Sequence, residues 1–424
     1  MIHDAGTVLG LAVFLAVMGF VIARPHGLNE AWPAAAGVAA FLTIGLLTLA
    51  DIARVGRDTA GVLLFLAGMM VVSTVAEQAG VFTWAASFAA RASRSGPRLL
   101  VNVFVLGAAV TALLSLDVTV IVLTPVIYAT VLALRIDPLP YLYACTFVAN
   151  TGSLIFPMSN LTNLLAVSRL NFPFWRFAGV MALPNLVAVA ANAAIFLWLF
   201  RDRLPGPIAP GPPAGDPART PFFRGAAAAL ALVLGGLFVA GLTGHPLWPV
   251  AIAGAGVLLL IARAAGVRAS HAVRHGVSWS LFVFVWAMAA IVRGMEHAGL
   301  TRDLARLVLH QPPGSLGSLA VTTGIAALGA NLFNNIPMTL VMLAALAPVA
   351  PGRVLGLAAA ALIGVNIGPT LTTAGSLATL IWLSLVRRQG LEVPALEYLR
   401  VAAITVPLVL AVALAALALE GGLR

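Results

Sequence analysis

The chain has 424 residues, 61% of them apolar and 9% charged, with a formal net charge of +10. Soluble globular domains carry roughly 25% charged residues, so this composition cannot build a water-exposed surface and most of the outside must face lipid. All 24 basic residues are Arg, scattered singly or in small groups between apolar runs; that is how topology signals are placed, and it argues against a nucleic-acid-binding face.

At roughly 20 apolar residues per span, the chain has room for about ten transmembrane helices. Long unbroken apolar runs exclude a barrel of short alternating strands, so the fold class is an all-α polytopic membrane protein. Single spans are predicted near 8–24, 33–50 and 59–77. No cationic residue precedes the first apolar run, which reads as a retained span and not as a cleaved signal peptide. A basic stretch with Arg91, Arg94 and Arg98 follows, then 98–135, broken at Ser115-Leu116-Asp117 and predicted to be a re-entrant hairpin. Residues 139–168 form a helix broken at Asn150-Thr151-Gly152, and 174–200 is continuous. A Pro/Gly-rich linker at 201–223 ends a first repeat (1–200) and precedes a second (224–424), with a hairpin at 315–346 and a broken helix at 354–386.

Two stretches recur in the second half. LFLAGMMVVSTVAEQAGV (64–81) parallels VFVWAMAAIVRGMEHAGL (283–300), pairing Glu77 with Glu296 as interfacial, helix-terminal acids. NTGSLIFPMSNLTNLL (150–165) parallels NIGPTLTTAGSLATLI (366–381), pairing Asn150 with Asn366 and Gly152 with Gly368. Five full spans per half make the second half inverted relative to the first, the plan of many secondary transporters. Fifteen Arg residues fall in loops on the linker side and nine on the other. The positive-inside rule then puts the linker in the cytoplasm and both termini outside, across an inner membrane.

Four polar clusters interrupt apolar segments at matching places. They are SLDVTVIVLTP (115–125); NTGSLIFPMSNLTN (150–163), which supplies Asn150, Thr151, Ser153, Ser159, Asn160 and Asn163; NLFNNIPMTL (331–340), which supplies Asn334, Asn335 and Thr339; and NIGPTLTTAGSLAT (366–379), which supplies Asn366, Thr370, Thr373 and Ser376. Uncompensated polar groups in hydrocarbon cost several kcal/mol each, and broken helices are tolerated at membrane depth only against a cavity or other protein. One such cluster is explained by helix–helix hydrogen bonding; four in repeat-related pairs read as a substrate site at the midplane, with Asn150 and Asn366 facing one solute. Asp117 is the only acid deep in an apolar stretch, and a desolvated carboxylate there suits a group that couples transport to a proton or cation. Cys145 is a lone cysteine in an apolar segment, so it reads as a small core residue. No metal-ligand spacing and no GxxxxGK[ST] loop occurs; the chain reads as a non-enzyme with no cofactor and no metal.

At these clusters the sequence resembles the ion transporter superfamily, and within it the arsenite/antimonite efflux permeases. The match is carried by SLDVTVIVLTP, SLIFPMSNLTN, NNIPMTL and GPTLTTAGSLATLIWL, and it extends over nearly the whole chain. The resemblance implies a fixed scaffold and an elevator-type transport domain with two opposed hairpins. It also implies outward movement of neutral arsenite or antimonite against protons, and for some members a soluble ATPase partner. Many family members carry an acid at the positions of Asn150 and Asn366 and a Lys at that of Thr370, which leaves Asp117 as the sole acid of the site. The site has no Arg in any cluster, which favours a neutral polyol-like solute; a cation–proton antiporter and an organic-anion carrier are the alternatives.

Overall fold

The computed structural model describes residues 5–23, 29–208, 220–267, 273–274, 276–310, 315–373 and 375–422, and these are almost wholly helical. Among the described residues, ten helices are long and apolar enough to cross a membrane. Helices α1 (Ala5–Ala23) and α2 (Ala31–Thr43) pack against each other. Helix α3 (Leu49–Gln78) has 30 residues and is longer than the predicted run at 59–77. Its added turns are charged and so escape a hydropathy reading, but Thr48 and Asp51 close a capping box that starts the helix early. The basic stretch starts at the end of α4 (Val81–Arg91), with Arg94 in the turn after it and Arg98 at the start of the next helix.

Helices α5 (Gly96–Leu113) and α6 (Leu116–Ala133) form the first hairpin. Each arm has 18 residues and passes by length as a span, yet both outer ends lie beside the linker. The Gly96 N–H donates to Pro205 O at 2.9 Å, and Arg203 of the linker lies 3.9 Å from Asp137. Within α6, residues Thr119–Leu123 widen into a π-turn. Pro125 has no N–H to offer the carbonyl four residues back, and a π-turn absorbs that lost bond.

The chain then crosses as a broken helix, α7 (Leu139–Thr151) and α8 (Leu161–Leu170), and returns in α9 (Phe174–Leu199). Of the predicted linker, Arg201–Arg203 form a short turn and the described part runs to residue 208; 209–219 lie outside the described residues. Helix α10 already begins at Pro221. The second half takes the same order: α10 (Pro221–Leu242), α11 (Trp248–Ala264), α12 (Trp279–His297), the short α13 (Leu300–Val308), the hairpin α14 (Leu316–Phe333) and α15 (Asn335–Leu346), the broken helix α16 (Pro351–Ile367) and α17 (Leu377–Arg388), and α18 (Ala395–Leu417).

Helix α3 packs along α11 and α12 along α2, while each hairpin packs on a broken helix, α5 on α7 and α14 on α16. Glycine permits these last two crossings. A Cβ on Gly152 would stand 3.1 Å from Ala108 Cα, and one on Gly368 only 2.6 Å from Ala327 Cα. Toward the linker side, Tyr143, Trp382 and Tyr398 meet with ring centroids 5.4–6.0 Å apart. Trp382 Nε1 also donates to Leu142 O at 2.9 Å. The two broken helices and α18 are thereby joined through buried aromatic contacts.

Candidate functional site

The first break, between α7 and α8, replaces its missing helix bonds with side chains. Ser153 Oγ donates to Asn150 O at 2.8 Å, and Ser159 Oγ reaches Ser153 O at 2.7 Å. Asn163 Nδ2 donates to Ser153 O at 2.7 Å and to Phe156 O at 3.0 Å. Asn160 Oδ1 caps α8 by accepting from the Thr162 N–H at 3.1 Å. Thr151 Oγ1 donates to Phe147 O and accepts from Asn192 Nδ2. All these polar side chains are buried.

Asn366, at the end of α16, enters this network from the other half of the chain. Its Oδ1 accepts from Thr162 Oγ1 at 2.6 Å and from Asn160 Nδ2 at 3.1 Å, and its Nδ2 donates to Asn163 Oδ1 at 2.9 Å. Asn150 is engaged differently: Nδ2 donates to Thr146 O at 2.9 Å within its own helix, and Oδ1 has no partner among the described residues.

At the second break, Asn331 of α14 holds the backbone, donating to Gly368 O at 2.8 Å and accepting from Thr372 Oγ1 at 3.1 Å. Tyr398 Oη donates to Thr370 O at 2.9 Å. Thr370 Oγ1 and Ser376 Oγ are buried without a partner among the described residues, as is Asn335 Oδ1, while Thr339 donates back to Asn335 O at 2.7 Å. Thr373 is half-buried at the same break. Asn334 forms the tip of the second hairpin at φ +75°, a conformation that a non-glycine residue seldom holds.

Asp117 lies in the first turn of α6, and Ser115 Oγ caps that turn by accepting from the Val118 N–H at 3.3 Å. Its carboxylate has no hydrogen-bond or ion-pair partner among the described residues. It borders a cavity of about 130 Å³ between α3 and the hairpin tip, and Asn160, Ser115, Ser73 and Glu77 line the same space. No Arg or His does so among the described residues. The hairpin tip and the first break thus meet at one small space, and of the substrate candidates Asn160 alone borders it; the other candidates of both breaks, and Asn334, Asn335 and Thr339, do not.

A larger cavity of about 830 Å³ opens at the other end of the bundle. Charged side chains line it, including Arg169, Arg293 and Glu296, and none of the candidate site residues borders it. Arg169 of α8 pairs there with Glu296 of α12, which also takes Arg293 at 3.0 Å.

Several polar residues of the network were not among the sequence candidates. Thr162 and Asn331 stand inside the quoted motifs. Asn185 and Asn192 stand in the otherwise apolar α9, where Asn185 Oδ1 accepts from the Leu154 N–H at 3.0 Å. Their spacing of seven residues puts them on one helix face, and that is the signal that identifies them.

A broken helix and a hairpin tip that converge on a cavity inside an apolar bundle define a membrane transporter. The whole-chain fold is similar to that of the Alcanivorax borkumensis YdaH transporter, with a TM-score of 0.62 over 98% of both chains at 16% identity. The chain belongs to the family described as CitMHS, citrate transporter, which matches residues 13–367. It is 31% identical to the arsenical pump membrane protein of Escherichia coli over 96% of this chain and 98% of that one. The arsenical pump membrane protein of Yersinia enterocolitica is also 31% identical, over 98% of both chains.

Proposed function

We propose that the protein exports arsenite and antimonite, with Asp117 carrying the coupling proton. The observation that carries this reading is the cavity at Asp117 and Asn160: small, with a mostly apolar wall whose polar groups are amide, hydroxyl and carboxylate, and without a cation among the described residues. A neutral trihydroxy solute finds donors and acceptors there. Citrate would bring several negative charges next to a carboxylate, a like-charge contact that costs free energy. Its size also counts against it, since about 130 Å³ lies well below the roughly 300 Å³ at which pockets for larger ligands begin. The names of the full-length relatives point the same way.

We further propose that the two halves are inverted repeats and that the linker is cytoplasmic, as the Arg distribution favours. The hairpins and broken helices form a transport domain that moves against a scaffold containing α1–α3 and α10–α12. The test is expression in an arsenite-sensitive host, where tolerance to arsenite and antimonite should rise. Unchanged tolerance with the protein present in the membrane would sink the proposal.

A further inference from the structure

Trivalent arsenic and antimony are soft centres that favour sulfur donors, as soft metals do. The lone cysteine cannot serve, because Cys145 is buried in α7 and does not border the cavity that holds Asp117. Sulfur reaches that cavity by another route. Met69, Met70 and Met158 all line it, three of the chain's 10 methionines, whereas neither the large far-end cavity nor the one beside it has any methionine in its wall.

The three come from opposite walls. Met69 and Met70 stand on α3, and Met158 stands in the first break, two residues before Asn160. Met69 and Met158 are 3% and 2% exposed, so they meet the cavity only at its wall. The second half does not repeat the arrangement, since the residue matching Met158 is Ala374. Leucine would fill such a wall equally well for packing, and a thioether adds a polarizable lone pair.

We propose that Met69, Met70 and Met158 form a soft wall that selects the heavier pnictogen, an inference resting on the arsenite/antimonite reading above. The solute keeps its three hydroxyl groups, which hydrogen-bond to Asp117, Asn160 and Ser115. A thioether lone pair approaches the central atom opposite one of its oxygens, and no bond forms fully or breaks. Antimony is larger and more polarizable than arsenic, so it gains more from this contact.

The test compares initial uptake of antimonite and arsenite into everted vesicles by wild type and by the combined Met69→Leu, Met70→Leu and Met158→Leu variant. Leu for Met conserves volume and is tolerated best among core changes; single variants replace the triple one if it is not found in the membrane. The ratio of antimonite to arsenite kcat/KM should fall about tenfold, equivalent to ~1.4 kcal/mol. An unchanged ratio, whether both rates hold or both fall together, would mean that the methionines only pack. If the unaltered protein moves neither solute, the transport reading itself fails, and that outcome is told apart because it needs no variant.

Discussion

Asn366 and Asn150 occupy matching places in the sequence, but their amides have unequal work. Asn366 bonds three side chains across the two halves, while Asn150 bonds only its own helix. Replacing Asn366 with Leu leaves Asn160, Thr162 and Asn163 each short of a buried partner, at about 1–3 kcal/mol for an unsatisfied group. Asn366→Leu is therefore expected to weaken arsenite binding by roughly five- to a hundredfold, and Asn150→Leu by clearly less, as measured by calorimetry on purified protein. Equal losses would mean that both amides meet the solute directly, as the sequence symmetry suggests. The polar character of both breaks was readable because Asn, Ser and Thr are rare in apolar runs. Which partner each amide takes was not readable, since that depends on how the halves dock.

The hairpins and broken helices were the elements best marked in the sequence. Pro, Gly and Asn stop a helix by local chemistry that survives any tertiary context, so 315–346 falls within a residue of α14 and α15. Element ends governed by polar caps were less visible: α3 begins ten residues before its predicted span because Thr48 and Asp51 cap it. Gly152 and Gly368 mark close crossings that sequence pairing flagged only as a match. A methyl on Gly368 would meet Ala327 backbone at 2.6 Å, whereas one on Gly179 in α9 meets nothing within 4 Å. Gly368→Ala should destabilise the protein by about 1–3 kcal/mol through overpacking, seen as a lower thermal transition in detergent, while Gly179→Ala should leave it unchanged. Equal stability of the two variants would show that α14 and α16 can part without cost.

Across the molecule, the aromatic contacts among Tyr143, Trp382 and Tyr398 bind both broken helices into one body, while α8 meets α12 through the partly exposed Arg169–Glu296 pair. Partly exposed pairs of this kind contribute little stability, which suits the domain movement proposed above. With Cys145→Ser as background, Arg169→Cys combined with Glu296→Cys and bridged by a short reducible thiol cross-linker should arrest transport, and reductant should restore it. Full activity while cross-linked would rule out movement of α8 against α12. Proton-driven arsenite export through Asp117 can be measured as arsenite uptake into everted vesicles with and without an imposed proton gradient. Wild type should accumulate arsenite and lose that accumulation when the gradient collapses, and Asp117→Asn should accumulate none above background at equal protein in the membrane. Accumulation by Asp117→Asn at the wild-type rate, or wild-type uptake indifferent to the gradient, would contradict proton coupling through Asp117.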